Sequence, residues 1–127
     1  MPSFSINEIT HWDRFYRANL ISSLTGYKPA MLIGTMHDSG VANLALFQNI
    51  VHLGANPALV GVISRPRAAS PHTIYNIERS KCFSLNSVQR SFLDKAHQTA
   101  AKYHESISEF EAVGLTILNR PNIKAPF

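Results

Sequence analysis

The run Ser64-Arg65-Pro66-Arg67, followed shortly by Ser70-Pro71-His72-Thr73, concentrates the side chains best suited to chemistry. The two arginines follow directly on the strand-like ALVGVIS. Guanidinium groups hold carboxylates and phosphates through paired N–H donors. Ser70-Pro71 is a helix-start pattern: serine is a favoured cap, and proline is tolerated where its missing N–H would go unpaired anyway. Thr73 then falls in the first turn, whose free N–H groups and partial positive charge favour an anion. A strand end, two arginines and a helix N-terminus converging on one point would cradle a phosphate. The plainer alternative leaves the arginines solvated and the helix start without a ligand. The residues by themselves leave both readings open.

Other reactive side chains are less organised. His11, His37, His52, His72, His97 and His104 include no pair at short helical spacing and no companion Cys or carboxylate cluster, so no metal site is expected. Cys82 is the one cysteine, which excludes an intrachain disulfide; without a positioned base it reads as a small buried side chain. Ser64 and Ser70 fit no nucleophile elbow. Trp12 and Tyr16 are expected to pack the N-terminal helix. No residue is assigned as a catalytic acid, base or nucleophile.

The elements that must position the cradle can be traced along the chain. Asp13 precedes FYRANLISSL, a helix stopped by Gly26 with Pro29 beyond. MLIGTM, a turn at Asp38-Ser39-Gly40 and VANLALFQNIVHL predict a hairpin, and Asn56-Pro57 a further turn into ALVGVIS. Phe83–Asn86 predicts a strand and Ser87–Lys102 a helix, with Val88, Phe92 and Ala96 four apart. Ser108-Glu109-Phe110-Glu111 has the capping-box pattern of a short helix ended by Gly114, and Leu115–Leu118 predicts a last strand. The expected fold class is mainly β, a β-barrel with inserted helices, with an α+β arrangement as the alternative.

The totals bound the function. A chain of 127 residues, 45% hydrophobic and 16% charged, fits one globular domain spanning residues 1–127. Twelve Lys and Arg against eight Asp and Glu give +4, but the cations are scattered and the strands mostly aliphatic, so nucleic acid is not an expected partner. The start MPSFSINEIT has no secretory pattern, and no apolar run is long enough to span a membrane. The expected location is cytoplasmic.

From about Arg17 onward the chain resembles the flavin reductase-like family, whose members bind FMN in a split β-barrel. The resemblance is carried, in order, by LTGYKPAMLIGT, GVANLALFQNIVHLGANPALVGVISRP, HTIYNI and Ser84-Leu85-Asn86 ahead of Val88, then KAHQTAAKY and SEFEAVGLT. It implies that Asn43, Leu44, Ala45, Leu46, Phe47, Gln48, Asn49 and Ile50 lie along the flavin ring. It also implies that the loop with Ser64, Arg65 and Arg67 and the helix start at His72 and Thr73 receive the ribityl phosphate. Asn76, one turn into the helix, would brace that loop, and His52 follows the ring-lining strand. Resemblance and residue chemistry thus choose one segment for the anion.

Two departures stand out. Gln48 and Asn49 replace the small hydroxyl residues common in the family, and the chain stops at Lys124-Ala125-Pro126-Phe127 where members usually run on. A barrel short of its closing strands would be covered by a partner copy or belong to a longer protein, and the sequence leaves both open. The activity implied is hydride transfer from NAD(P)H to bound FMN, with electrons passed to an acceptor, in a homodimer. The alternative from a different class is a non-catalytic flavin-binding or electron-carrier protein.

Overall fold

The computed structural model describes residues 3–64 and 71–127. Two short helices lead: α1, Ile6–His11, and α2, Arg14–Ser23. Ser5 and Glu8 close a reciprocal capping box on α1, and the Asp13 carboxylate accepts from the N–H groups of Phe15 and Tyr16 to start α2. Neither helix buries a residue. Trp12 joins them to the N-terminal segment, its ring 5.0 Å from both Phe4 and Tyr16.

The centre is a three-stranded antiparallel sheet of β1, Met31–Met36, β2, Ala42–Phe47, and β5, Ser84–Ser87, in the order β2-β1-β5. The β1–β2 turn is the predicted one: Gly40 takes φ of 86°, a conformation glycine adopts without strain. VANLALFQNIVHL is not one strand, however. It breaks at Gln48-Asn49, and β3, Ile50–Ala55, pairs instead with β4, Ala58–Val62, in a separate two-stranded sheet. The Ile63 N–H donates to the Asn49 carbonyl at 2.9 Å, closing the base of that hairpin where the chain leaves β2.

Helix α3, Pro71–Ser80, begins at the predicted proline and packs on β1 and β2. Its far end is tied to the β1–β2 turn: Arg79 pairs with Asp38 and lies 5.5 Å from the Tyr75 ring centre, while Tyr75 stacks on His37. Three boundary expectations are corrected. The predicted Ser87–Lys102 helix is a 3₁₀ turn, Arg90–Phe92, followed by α4, Leu93–Gln98. Helix α5, Glu109–Ala112, starts after Ser108, but the Ser108 hydroxyl makes no capping bond. Leu115–Leu118 is no strand, although Leu118 and Phe127 exchange two main-chain hydrogen bonds. Cys82 is half-buried, not a core residue.

Leu32, Ala42 and Leu44 of the sheet form the core with Ala96 of α4 and Phe110 of α5. The 124–127 segment lies over Gly34 and Ser84, with Ala125 and Pro126 buried. The Ser84 hydroxyl donates to the Pro126 carbonyl, and that carbonyl occupies the space a side chain at Gly34 would need. No described helix is long and apolar enough to cross a membrane.

Candidate functional site

Strand β2 is an edge of its sheet, so half of its main-chain groups lack a strand partner. The Leu44 N–H, on that outer side, donates to the Glu109 carboxylate at 2.9 Å. Antiparallel alternation then turns the N–H and C=O of Leu46 the same way. Here a cleft of about 550 Å³ opens between β2, the first turn of α3 and the segment that follows α4.

The structure places the expected residues in three groups. Asn43, Ala45, Leu46, Phe47, Gln48 and Asn49 line the cleft from β2 and the turn after it, and His72 and Thr73 line it from α3. Leu44 turns its side chain into the core, Asn76 is buried behind the wall, and Ile50 begins β3; none of these lines the cleft. Ser64 is half-buried at the last described position before the gap, while Arg65 and Arg67, like the predicted cap Ser70, lie outside the described residues. His52 is exposed on β3 and is not among the lining residues, because the break at Gln48-Asn49 carries β3 into the other sheet.

Two buried hydrogen bonds fix the α3 wall. Asn43 Nδ2 donates to Thr73 Oγ1 at 3.1 Å, and Asn76 Nδ2 donates to Thr35 Oγ1 at 3.0 Å. Each joins residues far apart in sequence, so the first turns of α3 are locked to β2 and β1. Asn76 Oδ1 is buried with no hydrogen-bond partner among the described residues. Such an acceptor is costly to leave empty and suits a donor from a neighbouring loop or ligand.

The opposite wall was not foreseen as a site. His97, Thr99, Lys102 and Tyr103 line it, as does Glu109 from α5. Glu109 is only 8% exposed. Burial raises its pKa above 4.5, against the pull of the Leu44 N–H, its own N–H and the nearby His72. The signal available in the sequence was KAHQTAAKY and SEFEAVGLT, which carried resemblance but no role. Among the described residues no group of three or more His, Cys, Asp or Glu could hold a metal ion.

Comparison with known proteins matches the same region. Residues 27–127 fit the flavin reductase like domain. A candidate flavin reductase with a split barrel domain from Shewanella frigidimarina NCIMB 400 superposes with a TM-score of 0.93 at 42% identity, covering 100% of this chain and 63% of that one. Nitrilotriacetate monooxygenase component B from Bacillus cereus gives 0.82 at 23% identity, covering 100% of this chain and 62% of that one. An uncharacterised protein of Aquifex aeolicus (strain VF5) is 27% identical over 119 residues, 92% of this chain and 60% of its own length. The chain therefore spans about three fifths of the relatives it matches. Its architecture is the split barrel expected from the resemblance.

Proposed function

The chain belongs to the flavin reductase-like family, and from that premise we propose that it is an FMN-dependent oxidoreductase in which NAD(P)H delivers hydride to a flavin held in the cleft. The observation that carries the reading is the cleft itself, built between an exposed main-chain edge and a helix N-terminus. Its volume is within the usual range for small-molecule sites. The outward N–H and C=O at Leu46 offer one donor and one acceptor to a planar, polar-edged ring. Gln48 is exposed beside them, and Asn49 Oδ1 is 3.4 Å from Lys28 Nζ. Asn43 through Ile50 are proposed to border the ring. Ser64, Arg65, Arg67, His72 and Thr73 are proposed to receive the phosphate, and Asn76 to brace that loop through its free oxygen.

Bound flavin supplies two-electron redox chemistry, so the hydride step itself requires no acid, base or nucleophile among the side chains. The protein's part is to bind, to orient and to set the local electrostatics. We further propose a single domain over residues 1–127, a homodimer and a cytoplasmic setting, with an electron acceptor as the second partner. Arg65→Ala tests the phosphate assignment. FMN affinity is expected to fall by about 1.5–3 kcal/mol, typical of a hydrogen bond to a charged group, while riboflavin, which lacks the phosphate, binds unchanged. Equal weakening of both would overturn the assignment. Oxidation of NADH or NADPH with added FMN separates the oxidoreductase from a flavin carrier.

A further inference from the structure

Glu109 poses a physical question that hydride transfer alone does not answer. Its side chain is nearly buried, lines the cleft and accepts from the main chain of β2 at 2.9 Å. A glutamine in the same place would accept that bond without the penalty of burying a charge. Glu109 is the first residue of α5 and its carboxylate also meets its own N–H, which favours the charged form, but those main-chain donors would serve an amide oxygen as well. What an acid provides and an amide does not is a proton that can come and go.

Resting on the proposed flavin site, we propose that Glu109 is the proton-accepting group of the cleft, taking up one proton when the bound flavin is reduced. In hydride transfer the nicotinamide C4–H bond breaks, and its hydrogen and electron pair pass to the flavin. The nicotinamide leaves as a cation and the flavin gains one negative charge. A proton from water then joins the Glu109 carboxylate, so that the new charge is not left beside a second anion. Charge and atoms balance: one hydride moves between the two ligands, and one proton moves from solvent to the carboxyl.

The surroundings suit this exchange. The ionisable groups that share the cleft with Glu109 are His72 on α3, His97 on α4, and Lys102 and Tyr103 on the following segment; β2 contributes none. His72 is close enough to favour the carboxylate, whereas burial favours the acid. The group is therefore poised between opposing influences, and a neighbouring charge changes which form wins. Its hydrogen bond to Leu44 reaches the same strand edge whose next outward groups, at Leu46, face the cleft.

The test is the midpoint potential of the flavin-loaded protein as a function of pH, for the wild type and for Glu109→Gln, which keeps the bond to Leu44. Uptake of one additional proton per two electrons is a tenfold change per pH unit, or about 30 mV. Between the carboxyl's ionisation points in the oxidised and reduced states, the wild-type slope is expected to be steeper by up to that amount. The infrared band of a protonated carboxyl should appear on reduction of the wild type and be missing in the variant. Parallel slopes and no such band, with flavin bound to both proteins, would overturn this inference alone. A folded chain that takes up no flavin would overturn it together with the proposed function, and the absorption spectrum tells the two failures apart.

Discussion

A buried carboxylate beside a main-chain donor titrates differently in the folded and unfolded chain, and Glu109 gives that difference a sign. Unfolding releases the carboxyl to its ordinary value of 4.5, below its folded value. Between the two the folded state holds the extra proton, so its contribution to stability is full below 4.5 and is lost as pH rises through the folded pKa. Glu109→Gln removes the ionisation and keeps the shape. The variant's Tm, relative to wild type, is expected to rise as pH increases from 4.5 through the folded pKa. A constant offset across that range would contradict this account of the site. Little of this was legible beforehand. Ser108-Glu109-Phe110-Glu111 satisfies a local capping rule, but the bond that forms reaches 65 residues back to Leu44. Local patterns cannot register such a partner. Arg65 and Arg67, expected from residue type and spacing to meet a phosphate, lie outside the described residues.

Elements locate the cleft through a few fixed contacts. Helix α3 is set by Asn43–Thr73 and Asn76–Thr35, and the 124–127 segment is set by its passage over Gly34. Thr73→Val strands the buried Asn43 Nδ2, so a loss of about 1–3 kcal/mol in folding stability is expected on urea unfolding, together with weaker flavin binding. Retained stability would show that the bond does not hold the helix. Gly34→Ala drives a methyl group into the Pro126 carbonyl and the Ser84 hydroxyl. A cost of about 1–3 kcal/mol is expected from overpacking, and a neutral outcome would mean the segment shifts freely. At this scale the sequence was more informative. The Asp13 cap, the Asp38-Ser39-Gly40 turn and the proline opening α3 are local devices, and each forms where its residues stand. The division between β2 and β3 was hidden because VANLALFQNIVHL remains apolar through the break at Gln48-Asn49. Likewise α4 ends at Gln98, before the small and polar run that lines the cleft, where composition alone still favoured helix.

The whole molecule presents the split-barrel arrangement that its ordered motifs implied, because register and order over a hundred residues constrain a fold far more than any single piece. It also carries apolar surface that the described chain leaves uncovered. Val51, Leu53, Leu59 and Val60 of the β3–β4 hairpin are 40–64% exposed, and a two-stranded sheet has little stability without a packing partner. If the proposed homodimer covers that hairpin, Leu53→Glu will shift the sedimentation coefficient toward a monomer at micromolar protein; an unchanged coefficient would exclude the hairpin from the interface. The central claim is that the cleft between β2, α3 and the post-α4 segment holds FMN. Its most direct test is titration of the purified, folded chain with FMN, followed by flavin fluorescence and visible absorption. Saturable quenching with a perturbed flavin spectrum is predicted, and unaltered fluorescence and absorption throughout the titration would contradict it.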